Sequence, residues 1–251
     1  GFLIKKCENR KALDMLKKEI LELLYKVDIK FKKMNGNLNY LHKFLNQEEV
    51  NEIRMNIYSE LNSYEWFRPT YFSFARKTLE EIVGRELVIQ NRINFNIMMP
   101  FDDGSNIHPH IDPHSGESPF QCVLWIPLTN AFGNKSICLL PPEENDKALK
   151  HFDRWMKLGG RKRIYEEVKD KLIWANVPYG SFILFSPTLL HGSVMNDTNE
   201  TRLSFNTRFK SLFSPYVSQE KGLGTFYLPI RTSAATHFGL RYNPPKGLNN
   251  L

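Results

Sequence analysis

The chain has 251 residues, of which 41% are hydrophobic and 13% aromatic, and its formal net charge is +7 at pH 7. This length suits one well-packed domain, and the apolar content argues against a disordered chain. Lys and Arg are scattered along the sequence, so the charge indicates a solvated surface rather than a nucleic-acid footprint. The three cysteines have no C-x-x-C spacing, which argues against a disulfide framework. No apolar run is long enough to span a bilayer. We therefore expect a cytoplasmic protein with no membrane partner.

Helical periodicity dominates the first third of the chain. Apolar residues recur at three- and four-residue spacing over about 9–33 and again over about 47–62, which predicts two amphipathic helices. Asn46 is a candidate N-cap for the second helix. A third helix is predicted over about 74–84. We expect these helices to cover one face of a sheet and to form a helical N-terminal region over about residues 1–85.

Short apolar segments separated by turns follow this region and predict β-strands. They comprise residues 87–89, 93–99, 123–128, 137–140, 181–185 and 202–209. Such a pattern favours a sandwich or jelly roll over a parallel α/β sheet. The charged, helix-like residues 143–172 indicate an insertion between strands. The predicted class is α+β in one domain, with a jelly-roll core (a double-stranded β-helix) over about 86–211. Residues 212–251 form a C-terminal extension and a candidate lid.

Metal-capable side chains alternate along the segment from His108 to His114. On extended backbone, alternate residues point to the same side, so two groups one residue apart can bind the same ion. His110 and Asp112 form the His-x-Asp pair of this segment. The best candidate for a third ligand is His191, which follows a predicted strand. Two imidazoles and one carboxylate leave coordination positions open, which suits Fe(II) oxygen chemistry, whereas structural zinc usually takes four ligands with Cys among them.

An arginine follows His191 after eleven residues. Arg202 begins a strand-like segment, and Ser204 lies on the same face of it. A guanidinium can bind a carboxylate through two parallel hydrogen bonds, and a hydroxyl from Ser204 or Ser193 can add another. Taken alone, Arg202 also fits a surface or ion-paired arginine.

The stretch 177–185, together with His191-Gly192-Ser193, Asn196 and Arg202, resembles the distal half of the 2-oxoglutarate/Fe(II)-dependent dioxygenases. It is most similar to their phytanoyl-CoA hydroxylase-like branch, and residues 125–130 resemble a Trp-bearing strand and turn of that branch. The resemblance covers about residues 90–210. A looser similarity is to 2-oxoglutarate oxygenases of bacterial carbohydrate and aminoglycoside pathways.

The sequence departs from this family at two places. Ser181 stands where the family usually carries Asp, and Asn134-Lys135-Ser136 stands where it tends to have Asn-Gly. These departures bear on the branch of the family more than on the superfamily.

The resemblance implies a catalytic Fe(II) held by His110, Asp112 and His191. It also implies that 2-oxoglutarate binds through its far carboxylate to Arg202, with Ser204 or Ser193 assisting. With O2 as the other co-substrate, a substrate carbon would be hydroxylated and succinate and CO2 released. Asp112 argues against halogenation, because Gly or Ala in its place would open a site for halide. The expected substrate is a small molecule, such as a sugar or sugar derivative, and no nucleic acid.

Other interpretations stay open at this point. They are a non-catalytic cupin-like module that binds sugar, an oxygenase that acts on a macromolecule, and a zinc hydrolase that uses the same ligands. His108 and His114 could line the substrate entrance, orient a ligand or be ordinary loop residues. Arg208 could bind an anionic substrate or close a structural ion pair.

Overall fold

The structure is a computed structural model that describes residues 1–239 and 241. Its helices are α1 (Arg10–Val27), α2 (Gln47–Ser63), α3 (Phe67–Ser73), α4 (Arg76–Ile82), α5 (Pro142–Leu149), α6 (Phe152–Val168) and α7 (Ala234–Gly239). Its strands are β1 (Phe2–Lys6), β2 (Leu87–Gln90), β3 (Asn94–Met98), β4 (Gln121–Pro127), β5 (Cys138–Leu139), β6 (Ile173–Trp174), β7 (Ser181–Phe185), β8 (His191–Gly192), β9 (Arg202–Ser211) and β10 (Tyr227–Arg231).

These strands form two antiparallel sheets. The larger sheet has the order β1-β7-β4-β9-β2-β10, and the smaller sheet has the order β6-β5-β8. Strand β4 pairs with one edge of β9. Strands β3 and β2 pair with the other edge of β9, one after the other along its length. This mixture of helices and antiparallel sheets confirms the α+β class predicted from the sequence. Within the described residues, no helix combines the length and hydropathy that crossing a membrane would need.

The N-terminal helices form where the apolar periodicity predicted them, with differences at their ends. Helix α2 begins after Asn46, whose side chain forms a capping box with Glu49. The first predicted helix ends early, at Val27, because Asp28 adopts an extended conformation and caps a 3₁₀ helix over Ile29–Met34. The third predicted helix, over about 74–84, corresponds to α4, and the short helix α3 that precedes it was not predicted.

The prediction that residues 1–85 are helical was wrong at the first residues. Strand β1 pairs antiparallel with β7 along its full length, from Phe2 opposite Phe185 to Lys6 opposite Ser181. Most of its side chains are exposed and show no alternation, so the segment carries no strand pattern of its own. Its conformation is determined by the free edge of β7, which only the tertiary structure reveals.

The insertion and the C-terminal extension pack on different sheets, and both contact Ser115 through a side-chain donor, Arg161 of the insertion and Lys221 of the extension. Helices α5 and α6 of residues 143–172 bury apolar side chains against Leu140 and Leu190, beside the end of the smaller sheet. In the extension, β10 adds to the edge of the larger sheet through β2. None of the described residues after Ser211 lines the central cavity, which lies between the two sheets. Residues 240 and 242–251 of the candidate lid lie outside the described residues.

The helical layer packs on the larger sheet around Phe205 of β9. Its side chain is fully buried, and its ring centroid lies 5.5 Å from that of Phe67, 6.3 Å from that of Tyr71 and 4.8 Å from that of Phe95. Edge-to-face and tilted aromatic pairs of this kind add to the burial of apolar area. One side chain of β9 therefore connects α3, β3 and the core.

We expect Phe205→Ala to lower the free energy of unfolding by about 3–5 kcal/mol, because it leaves a cavity between sheet and helices. Phe213→Ala is the matched control, since this ring is 72% exposed. The control should change the free energy by no more than about 0.5 kcal/mol. Urea denaturation followed by circular dichroism measures both variants. A similar small loss in the two would contradict the described packing.

Candidate metal centre

Backbone hydrogen bonds hold His110 opposite His191. The N–H of His110 donates to the carbonyl of His191 at 2.9 Å, and the N–H of His191 donates to the carbonyl of His110 at 3.0 Å. The N–H of Asp112 donates to the carbonyl of Pro187 at 3.0 Å. The loop that carries the His-x-Asp pair is thus attached to β8 and its preceding turn in a fixed register.

The imidazole rings are oriented by carbonyl groups two residues before them. Nδ1 of His110 lies 3.0 Å from the carbonyl oxygen of His108, and Nδ1 of His191 lies 2.8 Å from that of Leu189. A ring that donates through Nδ1 presents the lone pair of Nε2 to a metal. The two Nε2 atoms lie 3.7 Å and 3.5 Å from Oδ1 of Asp112.

The predicted ligands therefore come together as one group. One ligand atom each of His110, Asp112 and His191 lies within 4.8 Å of the others. Burial lowers the pKa of both histidines, and for His110 the neighbouring His191 lowers it further. Neutral imidazoles are the form that binds metal. Two nitrogen donors and one carboxylate oxygen, with no cysteine among them, fit a catalytic Fe(II) better than a structural zinc.

Arg208 binds the oxygen of Asp112 that faces away from the imidazoles. Its Nε and Nη2 each lie 3.1 Å from Oδ2, while Nη1 donates to Asn206 Oδ1 at 3.2 Å and to Gln90 Oε1 at 3.4 Å. Of the two roles left open for Arg208, the structure shows the ion pair. Because Oδ2 is bound to the guanidinium, Asp112 presents Oδ1 alone to the two histidines.

A cavity of about 290 Å³ opens beside the two histidines, between the sheets. Arg202, Ser204 and Ser193 all line it, as do His110 and His191. The sequence had placed the three polar residues in one site, and the structure brings them to the same cavity. Apolar and aromatic side chains from the two sheets complete its wall, among them Val123, Trp125, Ile137 and Phe185.

The Arg202 guanidinium is buried and keeps donors free. Nη1 donates to the carbonyls of Lys135 and Ser136, and Nη2 donates to Asn96 Oδ1, which uses three of its five N–H groups. Among the described residues, its Nε has no hydrogen-bond partner, and neither has the buried Ser204 hydroxyl. Burial lowers the pKa of Arg202 to about 10, so the group stays cationic at neutral pH. A buried cation without an acidic partner is costly unless an anion binds to it.

The remaining candidates have local contacts. The Ser193 hydroxyl accepts the N–H of Ile107 at 3.1 Å and so attaches the loop before the His-x-Asp pair to β8. His108 and His114 face helix α6, with ring centroids 5.9 Å from Tyr165 and 5.3 Å from Phe152. Neither histidine belongs to the metal-capable group within the described chain.

Several residues of the cavity wall were missed by the sequence reasoning. Asn94 and Asn96 of β3 line it, together with Asn206 of β9 and Arg54 of α2. Asn94 and Asn96 at alternate positions of a predicted strand were the available signal for β3, and Asn206 follows the alternation of Arg202 and Ser204 on β9. Nothing in the local sequence indicates that Arg54 reaches the cavity, because that depends on how α2 packs against the edge of the sheet.

Comparisons with known proteins find solved structures of the same fold, but no relative by sequence. No family model matches the chain, and no curated protein matches it. Among solved structures, the non-heme monooxygenase ThoJ in its Ni complex has a TM-score of 0.59 at 13% identity, covering 100% of this chain and 88% of that one. EctD from S. alaskensis with 2-oxoglutarate and 5-hydroxyectoine has a TM-score of 0.53 at 14% identity, covering 93% and 80%. AviO1 from Streptomyces viridochromogenes Tue57 has a TM-score of 0.52 at 14% identity, covering 87% and 93%. The chain therefore shares the fold of these proteins.

The Arg208–Asp112 pair can be tested in metal-free protein. We expect Arg208→Met to lower the free energy of unfolding by about 3 kcal/mol, because it leaves a buried carboxylate unpaired. Adding Asp112→Asn to this variant should recover part of the loss, since no buried charge then lacks a partner. Co(II) at saturation should also reduce the loss, because it brings a positive charge to the same carboxylate.

Arg154→Met, at an exposed position of α6, is the control for loss of an arginine. Urea denaturation in the presence of a chelator measures all variants without metal, and the same denaturation with Co(II) and no chelator measures the effect of the ion. A loss in Arg208→Met no larger than in Arg154→Met would show that the pair contributes nothing to stability.

Proposed function

We propose that this chain is an Fe(II)- and 2-oxoglutarate-dependent oxygenase with a double-stranded β-helix (jelly-roll) core. It would hydroxylate a small molecule and release succinate and CO2. One observation carries the proposal: the two histidines of the metal-capable group line the same cavity as the buried Arg202, which has no acidic partner among the described residues. Metal ligands alone are compatible with several kinds of chemistry. The buried guanidinium of Arg202 adds a requirement for a bound anion.

His110, Asp112 and His191 would hold Fe(II). The metal, together with 2-oxoglutarate and O2, supplies the oxidising chemistry for a C–H bond when bound. The protein contributes neutral imidazoles with Nε2 exposed and a carboxylate whose second oxygen is bound to Arg208. These interactions orient the ligands before any ion arrives.

Arg202 would bind the far carboxylate of 2-oxoglutarate. Its free Nε and remaining Nη2 hydrogen can donate to the two carboxylate oxygens, and the unpartnered Ser204 hydroxyl can add a further bond. Ser193 lines the same cavity, and its own hydrogen remains available after it accepts from Ile107. The ring of Trp125 lies 5.6 Å from the guanidinium and shields it from water.

The shared fold supports this assignment. EctD, which has the fold, was solved with 2-oxoglutarate, and ThoJ was solved with a bound metal. A sugar-binding module without a metal would not account for a buried Arg202, because a neutral sugar supplies no negative charge. The presence of Asp112 favours hydroxylation over halogenation.

The cavity size suits a small-molecule substrate. About 290 Å³ lies at the small end of ligand pockets, and its amide side chains fit the hydroxyl groups of a sugar or sugar derivative. The three cysteines are free thiols, which fits a reducing compartment such as the cytoplasm.

The test is a visible spectrum recorded without oxygen. We expect a charge-transfer band when Fe(II) and then 2-oxoglutarate are added, because a keto acid that chelates iron gives one. His110→Ala and His191→Ala should abolish the band. His114→Ala should keep it, because this histidine contacts α6 and not the ligand group. Arg202→Met should raise the half-saturating 2-oxoglutarate concentration by about tenfold or more, since a charge-assisted pair is lost.

The same samples distinguish the other interpretations. Succinate formation that requires O2 supports an oxygenase, whereas hydrolytic activity that survives without O2 supports a zinc hydrolase. If the wild-type protein binds iron but 2-oxoglutarate produces no band, the assignment of Arg202 to the co-substrate is wrong.

A further inference from the structure

A second cavity of about 330 Å³ adjoins the central one. It lies between helix α2 and the loop of residues 102–107. Arg54, Asn96 and Ile107 line both cavities, so the second one continues the first toward the surface. We name it the entrance groove. A substrate that reaches the metal group through this opening would contact the residues of the groove.

One face of α2 forms a wall of the entrance groove. Gln47, Val50, Asn51 and Arg54 line it, and they follow the i, i+3, i+4, i+7 spacing of a single helix face. Three of these four side chains are polar. They are therefore placed together by the helix itself, and α2 is held in position because it packs on β3.

Charge distinguishes Arg54 from the two other arginines of the cavity wall. Arg208 is neutralised by Asp112, and Arg202 would be neutralised by the co-substrate. The Arg54 side chain donates to Asn51 Oδ1 at 2.7 Å, and in residues 1–239 and 241 no carboxylate lies within 4.0 Å of its guanidinium. Most of its donors therefore remain available to a ligand.

The polar groups around Arg54 also lack full partners. Asn106 lines the groove, and no donor in the part of the chain that the structure describes reaches its buried Oδ1. The one carboxylate among the groove residues, Asp102, accepts the N–H of Gly104 at 2.9 Å and caps its own turn. An uncompensated guanidinium beside an amide acceptor fits a ligand that has both an anionic group and a hydroxyl or amide hydrogen.

We infer that the substrate is a polar anion whose carboxylate or phosphate binds Arg54 in the entrance groove, while the carbon to be oxidised enters the central cavity. This inference rests on the proposed function, since it names the substrate class of the same site. Arg54 acts here as a residue of substrate specificity. Lys can replace its charge but not its planar pair of donors.

The experiment uses calorimetric titration of protein loaded with Ni(II) and 2-oxoglutarate. The probes are pairs that differ in an anionic group: gluconate with gluconamide, N-acetylglutamate with N-acetylglutamine, and glucose 6-phosphate with glucose. The first two pairs report on a carboxylate and the third on a phosphate. We expect at least one anionic probe to bind about tenfold more tightly than its neutral partner, and less so at high salt.

Arg54→Gln should remove this preference, Arg54→Lys should retain part of it, and the exposed Arg154→Gln should keep it. The inference is overturned if no anionic probe is preferred or if Arg54→Gln binds the preferred probe as the wild type does. It is also overturned if Arg54→Gln loses 2-oxoglutarate binding together with the preference, because Arg54 would then support the metal site as a whole.

The same titrations with Ni(II) alone separate this inference from the proposed function. If 2-oxoglutarate does not bind to the wild type, the proposed function fails. In that case, the affinities of the wild type and of Arg54→Gln for the two members of each probe pair are still compared. An anion preference that depends on Arg54 then supports the groove as an anion site, and equal binding by the two proteins refutes it.

Discussion

Burial of the Asp112 carboxylate is the constraint around which the site is built. The residue is 2% exposed, and an ionised carboxylate at that depth needs positive charge close to it. The neutral imidazoles of His110 and His191 do not provide it, so the counter-charge in the protein comes from Arg208 of the larger sheet. The backbone of Asp112 is attached to the turn before β8 of the smaller sheet. One ion pair therefore connects the two sheets at the cavity, and a divalent ion would add a second positive charge to the same group.

Strand β9 provides many of the residues of the cavity wall, because one of its faces lines the cavity and the other contacts the helical layer. Arg202, Ser204, Asn206 and Arg208 alternate along the cavity face, while Leu203, Phe205 and Phe209 face the helical layer. The two arginines are chemically alike, yet their surroundings differ. Arg208 has an internal carboxylate, whereas Arg202 has carbonyl and amide acceptors that leave its charge uncompensated. Their partners, and not their residue type, therefore determine which arginine is structural and which can bind an anion.

Local patterns were sufficient to predict many of the helices and strands and the metal-capable residues that converge. The alternation of β9 placed Arg202 and Ser204 on one face, and the His-x-Asp spacing selected His110 and Asp112, because both features depend on neighbours within a few residues. Features that depend on pairing between distant segments could not be predicted. Strand β1 has no alternation and is defined by the edge of β7. The partner of Arg208 was left open because either role is compatible with its position on the strand. The carbonyls of Lys135 and Ser136 that orient Arg202 belong to a turn where the sequence departs from the family it resembles.

Helix α2 separates its contribution to the core from its contribution to the entrance groove. Its buried stripe, with Ile53, Ile57 and Leu61, packs in the core, whereas Arg54 and Asn51 lie on the face toward the entrance groove. A substitution on that face changes charge at the groove without removing apolar area from the core. Substitutions in strand β9 are more restricted, since its residues contribute alternately to the metal site and to the core. The resemblance to known oxygenases begins at about residue 90, after α2. Of the ten residues that line the entrance groove, the four on α2 thus lie outside the part of the chain that carries the resemblance, and the other six lie within it.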